Sequence, residues 1–377
     1  MADARAARRP RVLMLVDSLY DGTGGAERFA VGLACALPRD RFEVSMCVTR
    51  TAEGYLPRQL AEAGVGLLVL GRRGRADVLR FRRLAAYLRR ERVDVLHCHK
   101  FGSNVWGTVI GRACRVPVVV AHEHTWSYEG QPLRRLLDGF LIGRLASAFV
   151  SVSNADRERM IEIERVPARK TVTIPTGYVP RPDEAVGDLR GELGIPADAP
   201  TVGTIGQLRP QKALEVLIEA FAGVGDPSSH LIVVGDGPSR EELERRADAA
   251  GVGERAHFLG TRVDLATVFG GLDVAAMSSD FEGLPLFAFE CMAHRTPLVA
   301  TRVGGLPDLV SDGSTGVLVP PRDPAALAVA LRTLLADPGL RERMAAAAAE
   351  RLPEFTMEAV AARFADLYDK LLACAGS

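Results

Sequence analysis

Several features that would place a chain in a narrow class are missing from this sequence of 377 residues. Its six cysteines are scattered and form no Cys-x-x-Cys pair, which argues against a disulfide scaffold and a zinc ribbon. No apolar run approaches the roughly 18 residues that span a bilayer, and no secretory-signal core precedes the first predicted strand. We therefore expect a cytoplasmic protein whose cysteines are reduced.

The chain also has no net charge, because 47 Lys and Arg balance 47 Asp and Glu. The balance hides an asymmetry: residues 1–180 contain 29 basic and 18 acidic side chains, a net charge of +11, and residues 181–377 carry −11. A basic half opposite an acidic half predicts that the first half meets an anionic partner. The length and the apolar content of 47% predict two domains.

Residues 72–92 hold much of that positive charge, with nine arginines against two acids. Phe81, Leu84 and Leu88 recur at helical spacing, so the segment is predicted to be an amphipathic helix with a basic outer face. That face either docks on anionic lipid or is merely solvated. The arginines assigned to the candidate membrane surface are Arg80, Arg82, Arg83, Arg89 and Arg90.

A glycine-rich turn follows the first predicted strand and comprises Gly22, Thr23, Gly24, Gly25, Ala26 and Glu27. Such a turn at the start of a helix presents free backbone N–H groups and lets an anionic group approach closely. The spacing is not Gly-x-Gly-x-x-Gly, and no acid ends the second predicted strand, where a dinucleotide ribose would need one. We therefore disfavour a dehydrogenase.

The chain is organised around residues 273–308. An apolar run is followed there by a polar turn, a helix opened by Pro285 and a second apolar run, which is the pattern of a βαβ unit in a parallel sheet. Ligands bind such units beyond the carboxyl ends of the strands. Two acids fall in that position, Glu282 in the turn and Glu290 about two helical turns later. Glu290 stands among apolar side chains, where an acid needs a partner.

Histidines mark the ends of two further predicted strands. Residues i and i+2 share a strand face, so His97 is paired with His99, and His122 with His124. Four imidazoles at neighbouring strand ends could bind zinc or iron, which leaves a metal-dependent hydrolase as an alternative function. No flanking carboxylate cluster completes such a site, and we assign no metal ligand.

The two acids separated by seven residues, with Gly283-Leu284-Pro285 after the first, resemble the paired-glutamate motif of the retaining, nucleotide-sugar-dependent glycosyltransferases of family 4. The resemblance extends over nearly the whole chain. It implies the α/β GT-B fold, in which two doubly wound Rossmann-like domains face each other across a cleft. The implied domains are an acceptor-side domain at 1–180, a nucleotide-sugar domain at 181–355 and a C-terminal helix at 356–377 that crosses back to the first domain.

The resemblance also implies roles for individual residues. Glu290 would receive the ribose hydroxyls, Glu282 the donor sugar, and Lys212, with Arg209, the diphosphate. Either His122 or His124 would line the cleft near the acceptor and the sugar. The remaining residues implied for donor binding are Gly24, Gly25, Val263, Gly283, Leu284, Pro285 and Leu286. The expected activity is retaining transfer of a hexosyl or N-acetylhexosaminyl group, with no nucleic-acid partner.

Three positions depart from the family pattern: Gln207 replaces an arginine, Ala213 a glycine and Thr176 an asparagine. Arg209, two residues on, is the candidate to supply the missing charge, although its side chain starts on the same strand face as Gln207 only if the preceding strand extends that far. No Asp-x-Asp motif lies near the proposed donor site, so we expect no cofactor and no metal requirement. Two kinds of acceptor remain possible. One is a lipid-linked or cell-envelope glycan precursor, which would place the enzyme peripherally on the inner membrane face. The other is a small molecule in solution.

Overall fold

The computed structural model describes residues 8–20, 24–74, 77–124, 131–178 and 186–376. The chain divides into two compact units, one formed by Met1–Val179 with Glu354–Ser377 and the other by Pro180–Pro353. Gly22 and Thr23 of the glycine-rich turn, Arg75 and the predicted domain boundary at 180/181 lie outside the described residues.

The first unit is built on a parallel sheet, which in the described residues has seven strands in the order β3-β2-β1-β4-β5-β6-β7. The buried strands are continuous runs of Val, Leu, Met and Cys, which is expected when helices cover both faces of a sheet. The strands are β1 Arg11–Val16, β2 Glu43–Val48, β3 Gly66–Val69, β4 Val95–His99, β5 Val118–His122, β6 Ala148–Ser151 and β7 Thr171–Thr173. The helices are α1 Gly25–Ala36, α2 Tyr55–Glu62, α3 Phe81–Arg90, α4 Lys100–Ala113, α5 Pro132–Leu136, α6 Gly143–Leu145 and α7 Asn154–Glu162.

The second unit repeats the architecture with strand order β10-β9-β8-β11-β12-β13. Its core consists of aliphatic side chains from β8, β9, β11 and the helices that cover them. The strands are β8 Thr201–Ile205, β9 His230–Val234, β10 Ala256–Gly260, β11 Val274–Met277, β12 Leu298–Thr301 and β13 Val317–Val319. The helices are α8 Leu189–Leu193, α9 Leu214–Val224, α10 Arg240–Ala249, α11 Leu265–Gly270, α12 Leu286–Ala293, α13 Leu306–Leu309, α14 Pro324–Ala336 and α15 Pro338–Arg351.

The last helix, α16 Met357–Gly376, belongs to the first unit. The chain returns there through a backbone hydrogen bond from Tyr178 N–H to the Phe355 carbonyl, 2.6 Å. Phe364 and Tyr368 of α16 are fully buried in the same apolar cluster as α1, β1 and β5. The helix is therefore a structural part of the first core.

The arginine-rich segment differs from its prediction. The α-helix begins only at Phe81, after a 3-10 turn at Val78–Arg80, so residues 72–77 are not helical in the described part of the segment. Arg72 is buried, with its guanidinium 4.3 Å from the centre of the Phe81 ring. The prediction of one helix carrying all nine arginines is wrong, because Gly71 and Gly74 interrupt the segment and Arg72 packs inward.

Among the described residues, no helix combines the length and the apolar character that are needed to cross a bilayer.

Candidate active site

The candidate donor site lies at the carboxyl edge of the second sheet. Because all of its strands are parallel, the loops that follow β8, β11 and β12 leave the sheet at the same edge. β8 and β11 are neighbours, so Lys212 after β8 and Glu282 after β11 are brought together although they are 70 residues apart.

Glu282 accepts two short hydrogen bonds at this edge. Its Oε1 atom lies 2.6 Å from Lys212 Nζ and 2.6 Å from Ser279 Oγ. The Glu282 side chain is only 7% exposed, whereas that of Lys212 is 25% exposed. A cation just before a helix opposes the helix dipole unless an anion lies beside it, and here that anion is the carboxylate of Glu282.

Backbone contacts hold the two loops against each other. Gln211 Nε2 donates to the Phe281 carbonyl at 3.0 Å, and the Asp280 N–H donates to the Gln211 carbonyl at 2.9 Å. On the other side, the Gly305 N–H donates to the Gly283 carbonyl at 2.8 Å. Gly304 has φ +52°, and a Cβ atom there would lie 1.6 Å from the Glu282 carbonyl oxygen. Glycine is therefore required at 304 for the Glu282 loop to keep its position.

Glu290 lies in the middle of α12 and is 7% exposed. Its neighbours Phe289 and Cys291 are buried, as the sequence predicts for this helix. The preceding residues Gly283, Leu284 and Pro285 are also buried, with Pro285 at the N-cap of α12, while Leu286 is half-buried. A charged group in such a helix is stabilised only by a specific partner.

Strand alternation does not place Arg209 where the family has its arginine, because β8 ends before both positions. β8 ends at Ile205, so Gln207 and Arg209 do not share a strand face. Both side chains are exposed, and a 3-10 turn, Pro210–Lys212, separates Arg209 from α9. Ala213 takes φ +46°, the left-handed conformation for which glycine is the usual residue.

A shallow depression lies against this loop. Its walls contain both polar and apolar side chains, and they include Gly206, Gln207, Lys212, Ser278, Ser279, Met277 and Phe287. Val263 lies beyond β10, at the same edge of the sheet, and is 71% exposed. The edge thus holds a cation, a buried acid and an exposed apolar residue.

The four histidines of the first unit form one cluster at the carboxyl ends of β4 and β5. The ring centres of His97 and His99 are 4.2 Å apart and those of His122 and His124 are 4.1 Å apart, so the predicted pairing is confirmed. His97, His99 and His122 are buried, while His124, past the end of β5, is partly exposed. Burial lowers the pKa of all four imidazoles, that of His99 to about 3, and their mutual repulsion lowers the pKa of the other three further. The cluster is therefore uncharged at neutral pH.

Helix α1, which begins at Gly25, packs against this cluster through Phe29. Gly24 is the N-cap of α1 and Gly25 its first residue, and both are exposed. Glu27, in the first turn of α1, is buried and pairs with Lys100 at 2.7 Å, at the start of α4. Lys100 takes φ +70°, which is costly for a side-chain-bearing residue.

Several polar groups near these sites were not singled out from the sequence. Ser279 and Tyr368 are examples: each contacts a predicted site residue, but serine and tyrosine are too common for their positions alone to indicate a role.

Asp138 is 1% exposed, and neither carboxylate oxygen has a hydrogen-bond partner among the described residues. Burial, with Glu164 and Glu123 nearby, raises the pKa of Asp138 to about 9.

Two doubly wound parallel sheets, one of them followed at its carboxyl edge by a lysine and by a loop and helix with two buried glutamates, match the GT-B arrangement that the resemblance implies. The model of Glycosyltransferase Family 4 matches residues 23–180, and that of Glycosyl transferases group 1 matches residues 186–351. The chain therefore belongs to glycosyltransferase family 4 and is a glycosyltransferase. The predictions of family, fold and enzyme class are confirmed.

Individual relatives agree with this assignment. The chain is 32% identical over 316 residues to the D-inositol 3-phosphate glycosyltransferase of Corynebacterium glutamicum, covering 77% of this chain and 76% of that protein. It is 30% identical over 395 residues to the protein of the same name from Kineococcus radiotolerans, covering 92% and 90%. Among solved structures it resembles HepE of Anabaena in complex with UDP-glucose, with a TM-score of 0.80 and 23% identity over 96% of this chain and 99% of that one.

Proposed function

We propose that this glycosyltransferase takes its sugar from a nucleoside-diphosphate sugar bound at the carboxyl edge of the second sheet. The observation that carries the proposal is the pair formed by Lys212 and Glu282 at 2.6 Å, at the start of the loop and helix that contain buried Glu290. Glu290 receives the ribose hydroxyls, Glu282 and the backbone from Gly283 to Leu286 hold the sugar, and Val263 borders the base.

Stabilisation of the leaving diphosphate is the main chemical task of this site. Lys212 Nζ has three donor hydrogens, so it can hold Glu282 and still meet a phosphate oxygen. Arg209 is exposed and close in sequence, and it adds a second cation. Positioned cations act where negative charge develops, and a partly enclosed site strengthens them. The sugar is transferred with retention of its anomeric configuration, and the step needs no metal ion because Lys212 and Arg209 neutralise the diphosphate.

The donor site is tested by calorimetry with free nucleoside diphosphates. Glu290→Gln should weaken binding by roughly 1.5–3 kcal/mol, the range for a hydrogen bond to a charged group, which is about 10- to 150-fold in the dissociation constant. Glu219→Gln, an exposed acid on α9, is the matched control and should bind as the wild type does. Wild-type affinity in Glu290→Gln would place the ribose elsewhere.

The acceptor is proposed to be a small phosphorylated polyol. The relatives named above as D-inositol 3-phosphate glycosyltransferases suggest this class, and the net charge of +11 on residues 1–180 favours an anionic acceptor. His124, the partly exposed member of the histidine cluster, is the one we assign to the acceptor side. Release of UDP from UDP-sugars, measured with inositol 3-phosphate and with unphosphorylated inositol, should show turnover only with the phosphorylated compound.

A second candidate, a membrane-proximal acceptor, is favoured by the surface around α3. Val78 and Leu79 are 42% and 65% exposed and stand directly before this helix. Arg82, Arg83, Arg89 and Arg90 are exposed on it. Part of the charge is neutralised, because Arg80 lies 3.7 Å from Asp77 and Arg90 lies 2.7 Å from Glu91. Apolar side chains flanked by cations are typical of peripheral membrane contact.

Co-sedimentation with vesicles containing anionic lipid tests this surface at low and at physiological salt. Leu79→Ser should reduce binding, whereas Val329→Ser, an exposed apolar residue of the second unit, should not. Each engaged arginine contributes about 1 kcal/mol near the surface, so replacing Arg82, Arg83 and Arg89 by Gln should abolish binding. If the vesicles bind none of the wild-type protein at low salt, the membrane candidate is wrong and the small-molecule acceptor remains.

A further inference from the structure

The histidine cluster has a feature that a purely structural role does not explain. Four imidazole nitrogens have no hydrogen-bond partner among the described residues although they are shielded from solvent: His97 Nε2, His99 Nε2 and both ring nitrogens of His122. Buried polar atoms are nearly always paired in native proteins, because an unpaired one has lost its hydrogen bonds to water without gaining others. Four unpaired buried nitrogens in one cluster indicate that these rings have a binding partner other than the described residues.

The hydrogen bonds that do exist engage Nδ1 of His97 and of His99 and leave Nε2 of both rings unpaired. His97 Nδ1 lies 2.6 Å from Tyr368 Oη, and His99 Nδ1 lies 3.1 Å from His124 Nε2. Histidines that bind metal usually donate their other ring N–H to a neighbouring acceptor, which fixes the tautomer with a lone pair on the ligating nitrogen. In the tautomer that donates Nδ1–H to the tyrosine oxygen in His97 and to the His124 ring in His99, Nε2 of both rings carries such a lone pair.

We propose that His97, His99 and His122 bind one divalent cation of the zinc class. One nitrogen from each ring can be chosen so that all three lie within 4.8 Å of one another. Zinc–nitrogen bonds of about 2.0–2.1 Å in a tetrahedron place the ligating nitrogens about 3.4 Å apart, so the rings would move closer together when the ion binds. A water molecule would take the fourth position.

The chemistry of the cluster selects the kind of ion. Its three ligands are uncharged imidazoles without a carboxylate, a set that suits Zn²⁺, Co²⁺, Ni²⁺ or Cu²⁺ and not Mg²⁺ or Ca²⁺. Phe29 packs at 5.3 Å from the His122 ring centre and Phe364 at 5.4 Å, so apolar side chains enclose the site. The ion would join β4 to β5 and, through Tyr368, to α16. The transfer chemistry proposed for the second unit does not depend on it.

Equilibrium dialysis of the full chain, stripped with a chelator and then exposed to Zn²⁺ alone, tests this inference. We expect about one zinc per chain and a higher melting temperature in its presence. His122→Phe breaks no side-chain hydrogen bond seen in the described structure, so it should fold and bind less than about a tenth as much zinc. The matched control is His257→Gln, from the partly exposed pair His230–His257 with nitrogens 3.0 Å apart, and it should retain the zinc.

Several outcomes would overturn the inference: no zinc on the wild-type chain, zinc retained by His122→Phe, or zinc lost in His257→Gln. If His122→Phe does not fold, X-ray absorption at the zinc edge of the wild-type protein decides instead. A shell of imidazole nitrogens supports the site, and a shell dominated by oxygen refutes it. Any of these results leaves the donor site of the second unit untouched.

Discussion

Removing Lys212 from its pair with Glu282 should destabilise the protein much more than removing the charge of Glu282. Lys212→Met leaves the Glu282 carboxylate, 7% exposed, with Ser279 Oγ as its one remaining partner in the hydrogen bonds described above. Breaking a buried pair in this way costs about 3–5 kcal/mol, and we expect the lower end because the lysine side chain is 25% exposed. Glu282→Gln keeps the serine contact and lets the ammonium group reach water, so it should cost about 1 kcal/mol.

The double variant gives the sharpest result. With Gln at 282, removal of the lysine leaves no unpaired buried charge. Lys212→Met combined with Glu282→Gln should therefore be about 2 kcal/mol more stable than Lys212→Met alone. Urea unfolding of the ligand-free protein near pH 7.5, followed by circular dichroism, measures the three midpoints. The control is Arg246→Met, which removes the exposed pair with Glu242 at 2.8 Å and should cost less than about 0.5 kcal/mol.

Two results would contradict this reasoning. Lys212→Met could lower the free energy of unfolding no more than the control does, or adding Glu282→Gln could fail to raise the stability of Lys212→Met. Either result would mean that the Glu282 carboxylate is not left buried and unpaired when the lysine is removed. The buried-pair argument would then be wrong.

Two further predictions concern stability. Asp138→Asn should stabilise the protein, by at most about 4 kcal/mol at pH 7, because a carboxyl whose pKa rises from 3.8 to about 9 must take up a proton on folding. That penalty grows as the pH rises from 4 to 9, so wild-type stability, measured by urea unfolding, should fall over this range relative to the variant; parallel curves would contradict the assignment. Gly304→Ala should cost more than the roughly 1–2 kcal/mol of backbone strain expected for Gly313→Ala, because its Cβ meets the Glu282 carbonyl whereas Gly313, φ +75°, faces open space. Equal thermal destabilisation of the two variants would contradict the contact.

The sequence predicts most of the fold because parallel strands buried on both faces are continuous apolar runs, and the helices between them have a different period. The same reasoning places Glu282 in a loop and Glu290 on a helix, and it pairs the histidines by strand alternation. These inferences succeed because each depends on residues that are close in the sequence. The arginine-rich segment shows the limit: the helical spacing from Phe81 to Leu88 is genuine, but it does not reveal that Arg72 stacks inward before the helix begins.

Contacts between distant parts of the chain could not be predicted in this way. The partner of Lys212 is set by the adjacency of β8 and β11, which is a property of strand order and not of any local pattern. The tautomers of His97 and His99 depend on Tyr368 and His124, and Tyr368 is 271 residues from His97. The burial of Asp138 follows from a one-turn π-helix at Leu137–Ile142, for which the sequence pattern gives no recognised signal.

The return of α16 to the first unit has a consequence for the order in which the protein folds. During synthesis from the N-terminus, residues up to Tyr178 emerge first, but Phe364 and Tyr368, which complete their core, emerge only after the whole of the second unit. The second unit, Pro180–Pro353, is continuous in sequence and can close its own core earlier. The apolar face beneath α16 therefore stays uncovered until Met357–Gly376 has been synthesised. Loop closure over such a separation is slow, so this face is exposed to aggregation while the second unit is being made.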